Sequence, residues 1–151
     1  MNNSGITLIT LIVMIIIILI LSSIFVVTGM NSLDESKEAQ IEREIHSLKQ
    51  AINVRYTEYE KNDGSVLLFG TLAKKTMNEA ECIAKIEKTL SDEEKTKDLE
   101  KISGDLTENF DEYVMIIKKS DKKNLGLENY SADTNYIVDY RSGRVFGPID
   151  L

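Results

Sequence analysis

The sequence predicts an α+β fold: a long N-terminal helix packed on a small antiparallel β-sheet head that carries extra helices. Three observations predict it. No charged side chain occurs before Asp34, so the first part of the chain is made for a different solvent from the rest. Ile41, Ile45, Leu48 and Ile52 then recur at spacings of four, three and four, and Tyr56 and Tyr59 extend them into one apolar helical stripe. The last third holds β-branched and aromatic runs separated by turn residues, which read as strands.

The chain has 151 residues, one domain's worth, with 18 basic and 25 acidic side chains and a formal net charge of -7. Binding to phosphate backbones needs a Lys/Arg surface, so this balance argues against a nucleic-acid partner. A single cysteine, Cys82, excludes an intramolecular disulfide and a Cys-rich metal site. Its apolar neighbours on an expected helix make it a small buried hydrophobe.

Residues 6–30 form an uncharged, predominantly apolar run. As a helix it is about 37 Å long at about 1.5 Å per residue, enough to cross a hydrocarbon core of about 30 Å with some tilt. Thr7, Thr10, Ser22, Ser23 and Thr28 can return their hydroxyls to helix carbonyls, which limits their cost in lipid. A cleaved secretory signal fits poorly: the run is too long, no basic residue precedes it, and no Ala-x-Ala-like site follows. A single membrane span is expected.

The residues Gly5-Ile6-Thr7-Leu8-Ile9, followed by the Ile/Leu/Val stretch, resemble the N-terminal signature of type IV pilins and type II secretion pseudopilins, in the style of pilin-like proteins of Gram-positive bacteria. The resemblance is close over the first thirty residues and looser over the rest. It implies a pilin-like fold and a filament subunit, not an enzyme. It also implies that a prepilin peptidase cuts between Gly5 and Ile6 and methylates the new amine of Ile6. The chain then divides into a leader (1–5), a transmembrane helix (6–30), its amphipathic continuation (31–62) and a head (63–151). The implied partners are the peptidase, the lipid bilayer, other pilin-like subunits and the assembly machinery of the cytoplasmic membrane. The N-terminus lies inside and the head outside, and no cofactor is implied. Three positions depart from the family pattern: the leader has no Lys or Arg, the first mature residue is Ile where Phe or Met is commoner, and Thr10 stands where major pilins usually have Glu. Thr10 accepts a hydrogen bond but cannot neutralise a buried ammonium, so a minor or specialised subunit is expected. The rival reading is a monomeric single-pass anchor with a ligand-binding or regulatory head.

Beyond the apolar run, Ser32-Leu-Asp-Glu35 has capping-box form and marks either a fresh helix start or a bend near Gly29. Glu38, Glu42, Arg43, Glu44 and Lys49 are expected on the solvated faces, with His46 off the stripe and exposed. Lys61-Asn62-Asp63-Gly64 is a stop, with Gly64 suited to the left-handed C-terminal position.

In the head, Val66-Leu-Leu-Phe69 reads as a strand or a buried loop. Thr76 to Glu79 is expected to cap a helix with Ala80, Ile83, Ile86 and Leu90 on its face. Ser91 to Glu94 caps a second, ending near Ser103. The acids Asp92, Glu93 and Glu94 belong to that cap and helix dipole, not to a cation site. Strands are expected at 112–118 and 135–141. Ser142-Gly143 forms a two-residue turn that pairs Tyr140 with Val145, and Pro148 stops the last strand. Tyr136, Val138 and Tyr140 share the face that covers the helical stripe. The sequence shows no Gly-rich phosphate loop, no Gly-x-Ser-x-Gly elbow and no second metal ligand near His46.

Overall fold

The computed structural model describes the backbone of residues 3–127 and 133–151, and the side chains of residues 10–19, 36–127 and 133–151. Its elements are α1 (Asn3–Lys61), β1 (Thr71–Leu72), a 3-10 turn (Ala73–Lys75), α2 (Glu79–Thr89), α3 (Asp92–Asn109), β2 (Val114–Ile117), α4 (Lys119–Asn124), β3 (Asn135–Asp139) and β4 (Arg144–Ile149). The strands make one antiparallel sheet in the order β1-β2-β3-β4. The fold is α+β. The chain divides into two compact units, Met1–Gln40 and Ile41–Leu151, and α1 contributes to both.

α1 ends where the sequence stops it. The amide of Gly64 donates to the Tyr59 carbonyl at 2.9 Å, and Asp63 and Gly64 both take positive φ, 49° and 75°. This closes the last turn on its own orphan carbonyls. No helix boundary falls at Ser32, so the Ser32–Glu35 box does not start a helix.

Within the second unit, the sheet is buried on both faces. Leu48 and Ile52 of α1, with Ile45 and Tyr56 beside them, pack on Met115, Ile117, Tyr136, Val138, Tyr140 and Val145. The opposite face, with Val114, Ile116, Ile137 and Phe146, meets Cys82 and Ile86 of α2 and Ile102 and Leu106 of α3. Successive side chains of a strand point to opposite faces, so β2 can read as an unbroken apolar run only because both faces are covered. Full burial of each Leu or Ile contributes about 1.5–3 kcal/mol.

Several boundaries differ from expectation, each for a local reason. The cap of α2 is Asn78, whose side chain accepts from the Glu81 amide at 2.9 Å while Glu81 accepts from the Asn78 amide at 3.1 Å. Thr76 instead closes the preceding 3-10 turn. The buried face of α2 is correspondingly Cys82 and Ile86, with Leu90 packed beside them as expected, while Ile83 is half-buried and Ala80 is exposed. α3 continues past Ser103 and Gly104 to Asn109, because Leu106, Asn109 and Phe110 are buried only if it does. The β3–β4 connection is a four-residue turn, with Asp139 opposite Arg144 and Val138, not Tyr140, opposite Val145. Asp139 decides this: its Oδ1 accepts from the amides of Arg141 and Ser142, and its Oδ2 from the Ser142 hydroxyl at 2.6 Å. Lastly, β4 runs through Pro148 to Ile149, since β4 is an edge strand and the proline needs no donor there. The ladder shifts between Asn135 and Ile137, opposite Ile149 and Phe146, which gives β4 one extra residue and turns Ile149 back to the α2/α3 side. Gly147 at φ 147° makes that shift possible, because a Cβ there would sit 2.6 Å from Tyr136 Cδ1. α4 was not foreseen; its six residues begin with the Lys118 amide donating to Asp121 Oδ2 at 2.9 Å.

Gly104 lies inside α3 with nothing within 4 Å of where a Cβ would be. Gly104→Ala is therefore expected to stabilise the fold by about 0.5–1 kcal/mol, seen as a higher urea midpoint at unchanged slope.

Candidate functional site

The residues singled out for processing all fall in α1. Gly5 and Ile6 are helical, and their side chains lie outside the described residues. Thr10 is exposed, and the nine large apolar residues that follow it, 11–19, are each between 48% and 64% exposed. A helix with apolar residues on every side has no face to give to water, so this surface calls for an apolar surrounding. Among the described residues no helix is long and apolar enough to cross a membrane. Most of the expected span, 6–9 and 20–30, lies outside those whose side chains are described.

The second unit presents a groove of about 520 Å³ along the exposed side of α1. Ala51, Val54, Phe69, Leu125 and Leu127 give it apolar walls, and Arg55 also lines it. The Arg55 guanidinium lies 4.4 Å from the Phe69 ring centroid, donates to the Leu67 carbonyl at 2.9 Å and pairs with Glu58 at 3.1 Å. That leaves little of its charge for a ligand. Near the end of α1, Tyr56, Tyr59 and Tyr113 form a half-buried aromatic cluster with centroids 5.9–6.4 Å apart, in which Tyr56 and Tyr59 stack and Tyr113 lies edge-on to both. Burial raises the Tyr56 and Tyr113 hydroxyl pKa values, so both stay protonated at neutral pH.

Sequence reasoning put Glu44 on a solvated face, and the structure corrects it. Glu44 is wholly buried beneath α4 and β3. Its Oε1 meets Lys122 Nζ, and its Oε2 accepts from the Tyr136 hydroxyl at 3.0 Å and lies 3.5 Å from Thr134 Oγ1. Lys122, 1% exposed, also donates to Thr134 Oγ1 at 2.8 Å and stands 4.9 Å from the Tyr136 ring centroid. Burial pushes the Tyr136 hydroxyl up to about 12, with Glu44 adding to the rise, so it remains a donor. The missed signal was positional. Glu44 stands four residues before Leu48 and three after Ile41, which puts it on the stripe itself.

The remaining candidates resolve into structural roles. Ser91 and Glu94 form a reciprocal capping box, and the Ser91 amide, at 2.9 Å from Glu94 Oε2, holds the Glu94 carboxyl below its usual range. Asp139 is buried and receives Asn109 Nδ2 at 3.0 Å as well as the turn. His46 is exposed beside Gln50. Among the described residues no three His, Cys, Asp or Glu side chains are placed to hold a metal ion.

Cys82 is fully buried, and burial pushes its thiol up to about 11, with the Glu79 charge adding to the shift. At pH 8 almost no thiolate exists, and reagents cannot reach the sulfur. Folded protein is expected to react with a thiol-directed disulfide reagent at least tenfold more slowly than protein unfolded in guanidinium, measured by absorbance. Equal rates would mean that the α2–sheet interface opens readily.

In comparisons with known proteins, no family model, no curated protein and no solved structure matches this chain.

Proposed function

We propose that this chain is a pilin-like subunit, a pseudopilin or minor pilin, of a type IV pilus or type II secretion-type filament. It is held in the cytoplasmic membrane as a single span with the N-terminus inside and the head outside. One observation carries the reading: Gly5 stands directly before an uncharged apolar run, and that run belongs to the helix whose later stripe packs on a small antiparallel sheet. A plain membrane anchor has equal use for the hydrophobicity. It has no use for a glycine at the boundary, or for a helix that serves both as a stem and as one layer of the head.

The mechanism is the one that the resemblance to prepilins implies. Prepilin peptidase removes residues 1–5 and methylates the Ile6 amine. The apolar run stays in the lipid bilayer until assembly machinery draws it into a bundle of like segments, where its all-round apolar surface again meets apolar neighbours. The heads remain outside and contact other subunits. Thr10 supports a minor position, because it cannot supply the carboxylate that would neutralise the methylated amine of a neighbouring subunit.

Intact mass and N-terminal sequencing of protein from native membranes test this reading. The expected mature chain begins at Ile6 with one added methyl group, and Gly5→Glu leaves it uncut. A chain still beginning at Met1 in cells with active prepilin peptidase would leave a monomeric anchor. Expressed alone, the protein is expected to form no abundant long filaments by electron microscopy.

A further inference from the structure

We propose that the buried Lys122 and Glu44 side chains join as an intramolecular amide, Nζ to Cδ, which ties α1 covalently to α4. The amide does not depend on the filament reading. Four observations carry it. Lys122 Nζ lies directly against Glu44 Oε1, and the two side chains are 1% and 0% exposed. The other carboxylate oxygen, Oε2, accepts from the Tyr136 hydroxyl at 3.0 Å. Thr134 Oγ1 accepts from Nζ at 2.8 Å and stands 3.5 Å from Oε2, so it bridges the amine and the carboxyl group. Lastly, Cys82 is the only cysteine, so no disulfide within the chain can tie its elements together. An amide between α1 and α4 supplies that constraint in a form that reducing agents leave intact.

An ammonium and a carboxylate do not react, but a neutral amine and a carboxylic acid do. Charges buried away from water are costly even when paired, so passing a proton from Nζ to Oε1 within the contact is easier here than at a wet surface. The Nζ lone pair then attacks Cδ and forms the C–N bond. Negative charge develops on Oε2, where the Tyr136 hydroxyl already donates, as in an oxyanion hole. Thr134 takes a second proton from Nζ and passes its own to Oε2. Collapse of the tetrahedral intermediate breaks the Cδ–Oε2 bond. Oε2 leaves as water, carrying the proton that Oε1 releases as it becomes the amide carbonyl. One amine and one carboxylic acid give one amide and one water, with no oxidant or co-substrate. Groups held in contact in this way react at effective concentrations that reach about 10⁵ M or more, which draws the equilibrium towards the amide.

The test is the intact mass of full-length protein, folded in detergent micelles as shown by a cooperative urea transition, followed by tryptic mapping. The parent is expected to be one water lighter than its sequence, with residues 44–49 joined to residues 120–123 in one branched peptide. Lys122→Met removes the amine and is expected at its full sequence mass, whether or not it folds. Leader removal and methylation change only the N-terminal peptide, so the processing of Ile6 is read separately from the cross-link. A folded parent at full sequence mass overturns the proposal. So does a lighter parent whose residues 44 and 122 fall on separate peptides, as they would if the water were lost at Asp63-Gly64 through a succinimide. Loss of the same water in Lys122→Met overturns it as well.

Discussion

Burial of one narrow stripe on α1 is the constraint on which the second unit depends. Leu48 and Ile52 are fully buried, and only a flat apolar surface can cover residues spaced along a helix in this way. The sheet supplies it with Met115, Ile117, Tyr136 and Val138, and the rest of the architecture follows. Strands that bury alternate side chains under α1 send the others to the far face, so that face needs its own cover. α2 and α3 provide it. The glycine at 147 belongs to the same logic, because the extra residue it admits returns Ile149 to the α2/α3 core at the sheet's edge.

A unit organised in three layers buries backbone ends and side-chain polar groups along with its apolar surface, and each needs a partner. Two networks meet that demand. Asp139 satisfies the amides of its own turn and ties them to Asn109 at the end of α3, which makes the β3–β4 connection part of the core. Glu44, Lys122, Thr134 and Tyr136 do the same on the α1 side. The first is local apart from Asn109, whereas the second joins residues far apart in sequence. This is why the α4 region and its contact with Glu44 were among the least legible parts of the chain.

Features that depend on near neighbours were readable. The stripe of α1, the Asn62–Gly64 stop, the Ser91–Glu94 box, the β2 and β3 cores and the burial of Cys82 each rest on side chains within a few positions of one another. The failures were of two kinds. In one, two local signals competed: Thr76 and Asn78 both precede a Glu at capping distance, and Ser142-Gly143 looked like a tight turn until Asp139 drew the amides of Arg141 and Ser142 to itself. In the other, distant burial overrode a local penalty. Gly104 stays helical because Leu106 and Phe110 need the helix beyond it, and Glu44 is buried because Lys122, far along the chain, meets it. At the positions proposed for processing, legibility runs the other way: Gly5, Ile6 and Thr10 stand out in the sequence by their place at the start of the apolar run, and the fold adds only that they are helical.

On the proposed filament role, the segregation of charge decides where copies of the chain attract. Every charged side chain lies at or after Asp34, so the whole net charge of -7 belongs to that part. Like-charged heads repel over a screening length of about 8–10 Å at physiological salt. Attraction between them must therefore come from short-range contacts at specific patches, and none of it can steer assembly from a distance. The run 11–19 carries no charge and exposes an apolar surface on every side, so packing there is neither repelled nor directional. A stem of this kind supplies cohesion without specifying a partner. Specificity then falls to the short-range contacts of the head.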